Sequence, residues 1–66
     1  MTVILNDKKY EVADSISLAA FIESLGLKPQ GIAVAIGDEV VSKELWASTI
    51  LSDKLEIMLI HAVSGG

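Results

Sequence analysis

Cysteine is absent from the 66 residues, and with it go a disulfide framework, a thiolate metal site and a cysteine nucleophile. Histidine occurs once, at His61. A single imidazole with no second ligand type converging on it builds neither a metal centre nor an acid–base pair, so His61 reads as a solvated or sheet-edge residue. A phosphate cradle is missing too, because Gly26, Gly31 and Gly37 stand too far apart for a P-loop. Basic charge is scarce: five Lys and Arg against nine Asp and Glu leave a net charge of −4. That balance repels nucleic-acid phosphates and anionic lipid and favours basic protein partners. The opening Met1-Thr2-Val3-Ile4-Leu5 lacks a basic leader and turns polar at Asn6-Asp7-Lys8-Lys9, which makes it neither a signal peptide nor a membrane span. The expectation is a cytoplasmic protein that binds neither nucleic acid nor membrane.

What is present is apolar. Hydrophobic residues make up 52% and charged residues 21%, enough for a compact core with some apolar surface left over. A chain of this size buries about 60% of its unfolded surface, so a single domain over residues 1–66 is expected, with no room for a deep catalytic cleft. Thr2 to Asn6 reads as a strand, Asn6-Asp7-Lys8 as a tight turn, and Lys9 to Val12 as the hairpin partner with Tyr10 and Val12 on one face. Leu18, Phe21, Ile22 and Leu25 then fall on one helical stripe. Ser17 is its expected N-cap, Ile16 and Phe21 its hydrophobic staple, and Gly26 its left-handed stop. Pro29 breaks the chain before Ile32-Ala33-Val34-Ala35-Ile36, a buried strand. Gly37-Asp38 turns into a brief strand at Val40-Val41. Ser42 is read as capping one turn through Lys43-Glu44-Leu45-Trp46, where Trp46 closes an edge of the core in preference to joining a partner interface. Ser52-Asp53 leads into the last strand, Leu55 to Val63. Asp7, Asp14, Asp38 and Asp53 all fall in turns, where Asp bonds the local backbone, and no carboxylate pair is placed for acid–base catalysis. The order ββαβββ, an α+β mixed sheet with one main helix on one face and a central last strand, describes a β-grasp fold.

The last strand has two sides. Leu55, Ile57, Leu59, His61 and Val63 share one; Glu56, Met58, Ile60 and Ala62 share the other, and Glu56 marks that second side as facing water. Met58, Ile60 and Ala62 are therefore candidate partner-interface residues, Met being adaptable in its contacts. Scattered surface apolar residues are the equal alternative. Behind this strand stand Ser64-Gly65-Gly66. With Gly at about 7% of average composition, a closing Gly-Gly pair is expected by chance in about 0.5% of chains. Two residues without Cβ make a thin, pliable thread able to enter slots closed to other residues. Ser64, Gly65 and Gly66 are thus read as a flexible tail, 64–66, that inserts into a partner's active site.

Nearly the whole chain resembles the ThiS type of sulfur carrier of thiamine biosynthesis, a ubiquitin-like β-grasp family of the ThiS/MoaD superfamily. The resemblance rests on Asn6 after the first strand, the Ser17-Leu18 helix start, Gly31-Ile32-Ala33-Val34-Ala35-Ile36, Val41, Trp46, Asp53, Ile57 and Ala62-Val63-Ser64-Gly65-Gly66. Two turns depart from the pattern: Gly37 stands where members tend to carry Asn, and Asp53-Lys54-Leu55 where they tend to carry Asp-Gly-Asp. The resemblance implies a carrier that is not itself an enzyme. An adenylyltransferase related to ThiF and E1 enzymes would adenylate the Gly66 carboxylate. A persulfide from a cysteine desulfurase or rhodanese-like donor would displace AMP, leaving a thiocarboxylate. That sulfur would go to a ThiG-like thiazole synthase. The carrier would bind no cofactor, ATP and Mg²⁺ being used by the activating partner. Asp38-Glu39 and Asp53 with Glu56 are either contacts for a basic groove on that partner or plain solvated surface. A molybdopterin-synthase small-subunit carrier, a ubiquitin-like protein modifier and a binding module with an inert tail remain as alternatives.

Overall fold

The computed structural model describes residues 1–28 and 30–61. The expected break at Pro29, the interface residue Ala62 and the tail residues Ser64, Gly65 and Gly66 lie outside the described residues.

Strands β1 (Thr2–Leu5) and β2 (Lys8–Glu11) form the opening hairpin, with Leu5 opposite Lys8. Its two-residue turn puts Asn6 at φ 48° and Asp7 at φ 68°, the paired positive angles of the turn that matches strand twist and that Asn and Asp tolerate. Helix α1 covers Leu18–Ser24. Ser17 Oγ accepts the Ala20 N–H at 3.1 Å, and Gly26 sits just beyond the C-cap Leu25 at φ 74°, so both ends form on the predicted residues. Strand β3 is Ile32–Ile36, and Gly37 at φ 64° turns it into β4, Glu39–Val41.

The next segment differs from expectation. Lys43–Ser48 is a 3₁₀ helix, η1, longer than one turn, and the Ser42 side chain makes no capping hydrogen bond. Tertiary contacts hold it instead: Trp46 is 4% exposed and its Nε1 donates to the Val41 carbonyl at 2.9 Å. Trp46 therefore belongs to the core. The stretch that follows is stitched to the helix entrance by Leu18 N–H to Thr49 O at 2.7 Å and Leu51 N–H to Ile16 O at 2.9 Å.

Strand β5, Leu55–His61, completes a five-stranded sheet in the order β2-β1-β5-β3-β4. It runs parallel to β1 and antiparallel to β3, so the last strand is central. Helix α1 covers one face. Phe21, Leu18, Val3 and Val34 are the largest fully buried side chains, each contributing roughly 1.5–3 kcal/mol by leaving water. Tyr10 meets Phe21 edge-on, ring centroids 5.8 Å apart at 75°. This is the β-grasp arrangement that the element order predicts.

Candidate docking face and tail exit

Along β5 the alternation is realised in burial. Ile57 and Leu59 are buried under the helix, whereas Met58 and Ile60 are 56% and 46% exposed on the opposite face with Glu56. His61 shares the inward parity of Leu59 but is exposed, while Ile32 opposite it on β3 is buried. Among the described residues no group of three or more His, Cys, Asp or Glu side chains is placed to hold a metal ion.

Register shows what surrounds the two exposed residues. Met58 lies opposite Ala35 and Ile60 opposite Ala33, while Ala35 lies opposite Val40 on its other side. The small alanines make a low floor between taller neighbours, and Val40 is 69% exposed. The outcome is an apolar strip across the helix-free face, continuous from β5 over β3 to β4. Next to it a shallow depression of about 330 Å³ is lined by Ile4, Asn6 and Met58 and by the acidic residues Asp7, Asp38 and Glu56. The face thus offers apolar contact beside negative charge, which suits a partner surface carrying basic side chains.

Two polar side chains hold β5 against β1, one at each end of their parallel pairing. Asp53 Oδ1 accepts the Thr2 N–H at 2.9 Å; it is not merely solvated surface. Asn6 grips Leu59: its Oδ1 accepts the Leu59 N–H at 2.9 Å and its Nδ2 donates to the Leu59 carbonyl at 3.1 Å. Both residues belong to the pattern of resemblance, but neither role follows from the sequence, since each needs the parallel neighbour to be known. Val40 and Ala33 were also missed as parts of this face, as was Ala35, which is buried between Met58 and Val40. The alternation of large Ile32, Val34 and Ile36 with small Ala33 and Ala35 was the available signal. Of the expected interface, Met58 and Ile60 are brought together; Ala62 and the tail lie beyond the described residues.

The model of the ThiS family matches residues 3–66. The sulfur carrier protein ThiS of Escherichia coli K12 is 30% identical over 66 residues, covering 100% of each chain. The crystal structure of a thiamine biosynthesis protein (ThiS) from Geobacter metallireducens superposes with a TM-score of 0.85 at 22% identity, again over 100% of both chains. A solution structure of a thiamine biosynthesis protein from Geobacter metallireducens gives a TM-score of 0.78 at 19% identity, over 100% of this chain and 88% of that one. At those identities the two structures carry the fold alone.

Proposed function

The chain belongs to the ThiS family, the sulfur carriers of thiamine biosynthesis, and from that membership we propose that the Gly66 carboxylate is the group that carries the sulfur. A carboxylate is a poor electrophile at neutral pH. In the proposed sequence its oxygen attacks the α-phosphorus of ATP on an activating adenylyltransferase related to ThiF and E1 enzymes, releasing pyrophosphate and giving an acyl adenylate. The outer sulfur of an enzyme persulfide then attacks the carbonyl carbon and expels AMP. Cleavage of the resulting S–S bond by a thiol leaves the thiocarboxylate, which a thiazole synthase consumes. With no cysteine in the chain, the terminus is the place for transferable sulfur. ATP and Mg²⁺ belong to the activating partner, and the work belongs in the cytoplasm, where these partners operate. No helix among the described residues is long and apolar enough to cross a membrane.

The observation that carries this reading is the position of β5. The strand that leads into the tail is the centre of the sheet, paired on both sides, so the folded body offers a firm base for a short thread. Residues 62–66 follow His61; at about 3.3–3.6 Å per residue they reach at most about 18 Å. In this reading Ser64, Gly65 and Gly66 form the flexible part that enters the partner's site, while Met58, Ile60 and Ala62 dock against its surface. The molybdopterin-type and protein-modifier readings have the shared fold in their favour and nothing more specific.

The test is intact mass spectrometry of the protein from thiamine-starved cells, with pyrophosphate exchange in the presence of an activating enzyme, Mg²⁺ and ATP. Expected are a mass increase equal to exchange of one oxygen for sulfur, and exchange that disappears when Gly66 is removed. An unmodified carboxylate together with exchange that survives the truncation would refute the reading.

A further inference from the structure

We propose that Asn6 is a positioning residue for the tail: by holding Leu59 from the β1 side, it fixes the point from which residues 62–66 depart. The proposal rests on the reading that Gly66 carries the reacting carboxylate.

Strand β1 reaches its last partner where Leu5 lies opposite Ile57, and the chain turns away through the positive-φ pair Asn6 and Asp7. Strand β5 continues to His61. On its β3 side the pairing follows it to the end, with Ile32 opposite His61. On the β1 side it is Asn6 that continues the ladder. Its backbone N–H donates to the Ile57 carbonyl at 3.0 Å, and its side chain then takes both polar groups of Leu59. A parallel strand offers one acceptor and one donor in turn to every second residue of its neighbour. The planar amide of Asn6 reproduces that pair where the backbone has left. A carboxylate in its place has no donor for the Leu59 carbonyl, and glycine has neither group.

The clamp and the docking strip act in different directions. Hydrogen bonds of Leu59 lie in the plane of the sheet, whereas Met58 and Ile60 project from its helix-free face. Loss of the clamp therefore frees the β1 side of β5 beyond Ile57 without removing the surface a partner binds. The tail then starts from a spread of positions, and the fraction of bound complexes with the carboxylate in line with ATP falls.

The experiment compares the full chain with N6G and N6D as the varied substrate in pyrophosphate exchange, well below the unfolding midpoint of each variant. Glycine keeps the positive-φ turn relaxed and removes the clamp; aspartate keeps the acceptor for the Leu59 N–H and sets a charge against the Leu59 carbonyl. Expected for N6G are a fall in kcat of about tenfold, the scale on which small misplacements of reacting groups act, a KM unchanged within about twofold of the parent, and faster hydrogen exchange at the Leu59 amide with Phe21 unaltered. N6D falls between the two, and it decides the matter if N6G does not fold. A parental kcat in the folded variants, or a change confined to KM, overturns the proposal. Failure of the parent chain itself to support exchange overturns the Gly66 reading and this proposal with it.

Discussion

The Asp53 carboxylate receives the backbone N–H of Thr2 at 2.9 Å, across 51 residues of sequence. It closes the entry end of the parallel β1–β5 pairing, as Asn6 closes the other. The adjacent Lys54 N–H donates to the Thr2 carbonyl, so both backbone polar groups of Thr2 are engaged by the turn before β5. Replacing Asp53 by Ala leaves the Thr2 N–H to water and is expected to cost about 1 kcal/mol, the usual net worth of one hydrogen bond. Asp53→Asn keeps an acceptor and should retain most of that. Urea unfolding followed by Trp46 fluorescence measures both; equal midpoints for D53A and the parent would show that the bond contributes nothing.

Lys54 itself sits at φ 64°, where the family pattern tends to carry Gly. Asn6 and Asp7, also at positive φ, have short polar side chains that tolerate this region, and Lys54 does not share that trait. The left-handed conformation costs a side-chain-bearing residue about 1–2 kcal/mol, and Gly gives back roughly 0.5–1 kcal/mol through its freer unfolded state. Lys54→Gly is therefore expected to stabilise the protein by about 0.5 kcal/mol. Thermal melts that place K54G at or below the parent would contradict this account of the turn. Gly37, at φ 64°, departs from the pattern in a way that costs nothing, because Gly and Asn both accept that angle.

These turns mark the limit of what the sequence discloses. Helix α1 is legible because its signals are local: four apolar residues on one stripe, Ser17 before them and Gly26 after. The faces of β5 are legible for the same reason, since alternation needs no partner. Asp53–Thr2 and Asn6–Leu59 are not, because their meaning appears only when a strand from the start of the chain lies parallel to one from its end. The extra length of η1 is likewise tertiary: Trp46, seated in the core and bonded to Val41, holds a segment that Ser42 does not cap. Parity assigns His61 to the inner side, but it cannot say whether anything covers the strand there.

Trp46 offers a direct test of that tertiary control. Trp46→Phe keeps an aromatic ring, leaves a void where the indole was and removes the Nε1 hydrogen bond to the Val41 carbonyl; the combined loss is expected to be about 2 kcal/mol. The effect should concentrate in η1 and its seam with the helix entrance. Hydrogen exchange at Thr49 and Leu51 should rise more than at Val34 in the sheet. A uniform rise across the chain would instead assign Trp46 to general core packing with no special hold on η1.

Met58 and Ile60 separate docking from delivery. Threonine, itself β-branched, suits a strand at either position while removing most of the apolar contact, and both side chains are about half exposed. The unfolding free energy of M58T and I60T is expected to stay within about 0.5 kcal/mol of the parent, as for surface substitutions generally. Binding is where the loss should appear. With both replaced, KM for the chain in pyrophosphate exchange is expected to rise about tenfold, equivalent to about 1.4 kcal/mol of contact energy, while kcat at saturation holds. That pattern is the reverse of the one expected for Asn6, and Val40→Thr extends it to the far end of the strip. A KM that ignores all three substitutions would move the partner's footprint to another face and leave the strip as ordinary surface.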